Sequence, residues 1–279
     1  MLLLLLLLLI GSVSVACGYS ISSVSEFVNF VNSVNSGTSY SGTTVYLYSD
    51  ISLSGYSMIP IGTSSSYCFS GAFDGQGYVI SDLVISRSYS YVGLFGYSTA
   101  TLINNVVLDD TCSIENTCSS GGYVGGIVGY CYSGPINILN SINMASITFS
   151  GSASGYDLYI GGIVGSLPTS SSNHVKNCVN YGAILKSGYS SNSYIGGIVG
   201  YSSNPPSYNY IYNCANYGPI KHSRSTSNSL YVGGIGGYSY ETYNKNCLSV
   251  GKITLSSTGS STYMGSIVGY LRSCPLNYC

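Results

Sequence analysis

Apolar and small positions recur along this chain with a long period. The stretch YIGGIVGY at 194–201 reappears with small changes at 123–130, 159–166, 231–238 and 263–270, and in a shorter form, YVGLFGY, at 91–97. The first tyrosines of these copies, Tyr91, Tyr123, Tyr159, Tyr194, Tyr231 and Tyr263, follow one another at intervals of 32 to 37 residues. A second unit runs in phase between them: NNVVLD from Asn104, NSINMA from Asn140, NCVNYG from Asn177, NCANYG from Asn213 and NCLSVG from Asn246. Self-similarity at roughly 20–50 residues marks a stacked repeat. Each unit holds short β-favouring runs broken by Gly, Asn and Ser, with no helical periodicity. The pattern therefore predicts an all-β fold, a parallel β-helix (β-solenoid). A propeller is disfavoured, because its blades of ~40–45 residues carry more and longer strands.

Stacking explains why one stretch must repeat. In a solenoid, equivalent residues lie ~4.8 Å apart, one coil above another. Strand alternation puts Ile160, Gly162 and Val164 on one side and Tyr159, Gly161 and Ile163 on the other, so the strand is expected to be covered on both faces. The paired glycines mark a corner or a close backbone approach. Asn104, Asn140, Asn177, Asn213 and Asn246 are expected to stack as an amide ladder, with Cys178, Cys214 and Cys247 as a neighbouring column. The thiols are read as small buried groups filling a narrow turn rather than as a metal or redox site. Their parallel stacking suits a disulfide poorly. Repeat length varies at two phases, SSNPPSYNY at 202–210 and KHSRSTSNS at 221–229. Insertions at a fixed phase project from one face of a solenoid, often the binding face.

The pattern differs before the repeats. Val24, Phe27, Val28, Val31 and Val34 follow helical spacing. Ser23 with Glu26 fits a capping box, and Gly37 fits a stop. This helix is expected to cap the open N-terminal end of the core and block edge-to-edge pairing. The runs TVYLYSDISLSG (44–55), IPIG (59–62) and GAFDGQGYVISDLVI (71–85) then lead into the first short copy.

Taken together, these runs and the GGIVGY copies resemble the GLUG-motif family of right-handed parallel β-helices, over roughly 24–279. The resemblance implies a right-handed parallel β-helix with an N-terminal capping α-helix. It also implies a secreted or cell-surface protein of adhesion or display type, with no catalytic residues to carry over. The domain expectation is a signal peptide at 1–16, a capping-helix region at 17–37 and a β-helix of 32–37-residue repeats at 38–279.

The chain's start agrees with export. An apolar run through Ile10 has the length of a signal-peptide core, and Ser14 and Ala16 stand at −3 and −1 of a cut before Cys17. The run is too short for a spanning helix, and no transmembrane span is expected. In an oxidising compartment the 10 cysteines could form disulfides, with Cys112–Cys118 and Cys274–Cys279 able to close small loops. Charge is scarce, 8 Lys+Arg against 9 Asp+Glu, which leaves no basic surface for nucleic acid.

No residue identifies a reaction. A polysaccharide-degrading enzyme, as in pectate-lyase-like β-helices, would want clustered carboxylates with a cation. Asp109, Asp110 and Glu115 form the one acidic cluster, and a solvated loop explains it more simply. His174 with Lys176, and Lys221–His222 with Arg224, lie in variable loops with no carboxylate at an informative spacing. No cofactor or metal is implied. The surplus is tyrosine, 30 in all with no tryptophan. Loop tyrosines Tyr208, Tyr210, Tyr212, Tyr240 and Tyr243 are the candidate ligand-binding residues, since Tyr offers large contact area at low entropy cost. The expected partner is a glycan or a protein surface. A tyrosine-cross-linked extracellular coat is a third reading, and end-to-end self-association is a further possibility.

Overall fold

The structure, a computed structural model, describes residues 18–132, 134–168, 171–224, 226–273 and 276–277. The expected signal peptide, Cys17, Cys274 and Cys279 lie outside the described residues. The fold is a right-handed parallel β-solenoid of about 7 turns with one helix.

One coil shows the plan. His174–Lys176 lies in the nine-stranded sheet and Val179–Asn180 in the seven-stranded sheet. Ile184–Lys186, Ser193–Gly196 and Val199–Ser203 then lie in three separate six-stranded sheets. Asn209–Tyr212 returns to the nine-stranded sheet and pairs in parallel with His174–Lys176. Each strand thus lies beside its homologue from the next repeat, as in the run Ile103, Ile138, Val175 and Ile211, all fully buried. Burying one such side chain contributes roughly 1.5–3 kcal/mol, and every coil repeats the gain.

The N-terminal end is closed. The helix α1 (Val24–Asn35) buries Phe27, Phe30, Val31 and Val34. Phe30 stacks against Phe73, with ring centroids 6.1 Å apart. The Ser23 hydroxyl accepts from the Glu26 amide at 3.3 Å. The returning bond of the expected capping box is shifted by one residue, because the Glu26 carboxylate accepts from the Ser22 amide at 2.7 Å. Gly37, at φ 107°, stops the helix. A strand ahead of the helix, Gly18–Ile21, opens the nine-stranded sheet by pairing with Thr44–Leu47.

The repeated motif departs from the expected single strand. It is two strands around a corner, Leu158–Gly161 and Val164–Pro168 in one copy. The corner breaks the alternation: Ile163 and Val164 are both fully buried, while Tyr159 stays partly exposed. A Cβ on Gly162 would overlap the carbonyl of Gly197 and the side-chain amide of Asn180. The second glycine of the pair is therefore fixed by a neighbour inside the coil.

The Cys112–Cys118 pairing that the spacing allowed does not form, and the seven described cysteines are free. The extended strand Ser113–Asn116 lies between these two residues. Its four residues alone span roughly 10 Å at ~3.3 Å per residue, which keeps the ends of this loop beyond disulfide reach.

Candidate functional site

Four of the five candidate tyrosines meet on the outer side of the nine-stranded sheet. Tyr210 stacks on Tyr243 with centroids 5.3 Å apart, and on His174 at 4.8 Å. Tyr208 reaches Tyr243 at 4.9 Å, and Tyr212 meets Tyr210 edge-on at 5.6 Å. Parallel pairing sets this register, placing His174, Tyr210 and Tyr243 in one line and Lys176, Tyr212 and Lys245 in the next. Burial, then the neighbouring Lys176 charge, lowers the His174 pKa, so its imidazole is neutral at physiological pH. Tyr240 stands apart in a different sheet, with the Arg272 guanidinium 4.8 Å over its ring.

Beneath the patch lies an anchor that sequence reasoning missed. Asn209 points inward and is fully buried. Its Oδ1 accepts from Asn173 Nδ2 at 2.7 Å and Asn204 Nδ2 at 3.1 Å. Its Nδ2 donates to Ser202 Oγ at 2.8 Å and to the Leu167 carbonyl at 3.2 Å. The alternation in SYNYIY, polar at the inward position between tyrosines, is the signal that could have located it.

The motif tyrosines build a second aromatic surface. Tyr91, Tyr123, Tyr159, Tyr194, Tyr231 and Tyr263 stack in one column, with centroid separations of 5.3, 4.7, 4.9, 4.8 and 4.9 Å. Tyr97, Tyr130, Tyr201, Tyr238 and Tyr270 flank it, meeting the first column largely edge-to-face. Within the stacked column Tyr123, Tyr159, Tyr194 and Tyr231 each have a neighbouring ring on both sides. Burial raises the phenol pKa of Tyr97, Tyr123, Tyr130, Tyr159, Tyr194 and Tyr238, to about 12 at Tyr130, so these six hydroxyls stay protonated.

Asparagine forms two ladders. On the outside, Asn140 Nδ2 donates to Asn104 at 2.9 Å, Asn177 to Asn140 at 2.9 Å, Asn213 to Asn177 at 3.1 Å and Asn246 to Asn213 at 3.2 Å. Asn140, Asn177, Asn213 and Asn246 have left-handed backbone, as does Asn105, whereas Asn104 lies in a strand. Asn105 is thus the backbone equivalent at the first rung, and both it and Asn104 bond Asp74. Inside the coil, Asn143, Asn180 and Asn216 form a buried ladder with 2.8 Å steps. The Cys178, Cys214 and Cys247 thiols are buried and donate to carbonyls of their own turns. Burial pushes the Cys214 thiol well above its usual pKa, which favours the unreactive thiol form.

The remaining titratable groups are dispersed. Asp109 accepts from the Thr111 amide and hydroxyl in its own turn, while Glu115 accepts from the Ser86 hydroxyl on one adjacent strand and from the Ser150 hydroxyl just past the end of the other. Lys186 and His222 face inward on paired strands and are fully buried. Among the described residues no group of three or more His, Cys, Asp or Glu gathers as metal ligands, and no helix is long and apolar enough to cross a membrane.

No protein-family model and no curated protein matches the chain. A crystal structure from Bacteroides ovatus, provisionally assigned as an immunoglobulin A1 protease, is similar in fold. It aligns with a TM-score of 0.58 at 18% identity, over 93% of this chain and 84% of that one. At that identity the likeness defines the class, a parallel β-solenoid, and transfers no activity.

Proposed function

We propose that this is a secreted or cell-surface binding scaffold whose contact surface is the patch of Tyr208, Tyr210, Tyr212 and Tyr243 with His174. The observation that carries this reading is the convergence of these rings on one outward face, above the Asn209 anchor. An aromatic patch flanked by Lys176 and Lys245 suits a glycan or a protein surface. The GLUG-type repeats and the apolar N-terminus favour the same location outside the cell.

The test is attachment of labelled full chain to intact cells and immobilised glycans. Tyr210→Ala with Tyr243→Ala should abolish saturable attachment while circular dichroism stays unchanged. Unchanged attachment would count against the patch. Incubation with immunoglobulin A1 separates an enzymatic reading, since the scaffold leaves the heavy chain intact.

A further inference from the structure

A second site lies on another sheet. A cleft of ≈ 230 Å³ is lined by Tyr91, Tyr123 and Tyr159 of the stacked column together with Ser120, Tyr156 and Asp157. It forms where the segment before Tyr159 approaches the glycine pair of the preceding coil. A Cβ on Gly121 would sit 2.8 Å from the Asp157 carbonyl and 3.0 Å from Tyr156 Cβ, so only glycine permits this approach without a shift. The Asp157 carboxylate is held in place. Its Oδ1 accepts from the Asn192 amide at 3.2 Å and Asn192 Nδ2 at 2.8 Å, and its Oδ2 accepts from the Tyr159 hydroxyl at 3.3 Å.

The lining selects its ligand by chemistry. It includes no Lys, Arg or His, so an anion would meet the Asp157 charge uncompensated. A cation would find one carboxylate already engaged by three donors. Burial, reinforced by the Asp157 charge, raises the Tyr123 and Tyr159 phenols, which therefore remain neutral hydroxyls. Tyr156 is 54% exposed and offers an apolar ring at the cleft. The volume falls below the roughly 300–1,000 Å³ of drug-sized sites, which leaves room for about one ring. Fixed hydrogen-bonding groups beside an exposed aromatic ring match a polyhydroxylated ring with one apolar face.

We propose that the Tyr156–Asp157 cleft binds a single neutral sugar ring, as the terminal unit of a glycan. The site is separate from the Tyr210–Tyr243 patch, so each can fail alone. The experiment is saturation-transfer NMR on the full chain with galactose, glucose, mannose, N-acetylglucosamine and sialic acid as probes. At least one neutral sugar should bind in the millimolar range, and sialic acid at least tenfold more weakly. Asp157→Asn and Tyr156→Ala should each weaken binding at least tenfold. Ser120→Trp, an exposed substitution, should block the cleft with an unchanged thermal midpoint. Tyr210→Ala should leave the sugar signal intact. The proposal is overturned if no neutral sugar binds, if sialic acid binds as well, or if the Asp157 and Tyr156 variants bind normally. A response to an unglycosylated Ser/Thr-rich peptide alone would assign the cleft to a protein partner and likewise overturn it.

Discussion

Asn180 and Gly162 face each other inside the solenoid so closely that a Cβ on the glycine would overlap the asparagine's side-chain amide. The same pairing holds for Gly126 with Asn143 and Gly197 with Asn216. The three asparagines are joined to one another by 2.8 Å bonds, so none can move aside without breaking a buried ladder. The glycine pair is thus a space requirement set by an amide that comes later in the chain.

That contact makes Gly162→Ala an overpacking substitution. It should lower stability by about 1–3 kcal/mol. Gly77→Ala, at an exposed turn with open space around it, should cost only its positive φ of 81°. Urea midpoints for the two variants check the order. A smaller loss at Gly162 than at Gly77 would remove the packing explanation.

The outer ladder should respond differently. Asn177 is exposed and holds φ 56°, a region that most side chains adopt only at a cost of roughly 1–2 kcal/mol. Asn177→Gly keeps the backbone and loses only amide bonds, whereas Asn177→Val loses the bonds and strains the turn. The valine variant should therefore be the less stable in thermal unfolding. Equal midpoints would mean that the amide bonds, not the backbone, hold this turn.

These two ladders show what the sequence could and could not reveal. The repeat period and the β-solenoid were legible because stacking forces equivalent residues to recur. The direction of each asparagine was not. Asn177 and Asn180 sit three apart in NCVN, yet one lies outside in left-handed backbone and the other lies buried on a strand. At the first rung the repeat pattern pointed to Asn104, which does accept from Asn140, but the structure gives the left-handed turn to Asn105. The tyrosine patch was legible in part, since Tyr208, Tyr210, Tyr212 and Tyr243 share a phase while Tyr240 precedes the corner into the next sheet. The Tyr156–Asp157 cleft was not legible, because its lining comes from neighbouring coils joined only through register.

Acid should weaken the fold through His222. Burial, then the Lys186 charge, lowers its pKa from 6.5 to about 4. The unfolded chain therefore takes up this proton below about pH 6.5, while the folded chain resists until about pH 4. Between those values the unfolded state binds more protons, so stability falls as pH drops, by on the order of 3 kcal/mol in full. His222→Leu should flatten that limb of the stability profile between pH 7 and 4.5. Parallel profiles for wild type and variant would refute the assignment. Lys186, lowered to about 8 chiefly by burial, acts in the same direction at alkaline pH, with stability rising between about 8 and 10.5. Lys186→Met should remove that rise.

Asn209 couples the scaffold to its contact surface. Its strand carries Tyr210 and Tyr212 outward while its own side-chain amide makes five bonds inward, one of them from the Asn173 backbone amide. Asn209→Leu is similar in size but leaves Asn173, Asn204, Ser202 and the Leu167 carbonyl each short of a buried partner. Every such loss costs about 1–3 kcal/mol where no water enters, so the variant should be among the least stable single substitutions in the chain. Asn209→Asp keeps the acceptor for Asn173 and Asn204, loses the two donors and buries a charge, so its deficit should grow as pH rises through the carboxylate range. The patch offers an independent reading of the same event. If Asn209 holds the tyrosine strand in place, amide hydrogen exchange at Tyr210 and Tyr212 should quicken in both variants while that of the α1 amides does not. Exchange that quickens equally in α1 would mean that Asn209 supports the whole solenoid rather than the site above it.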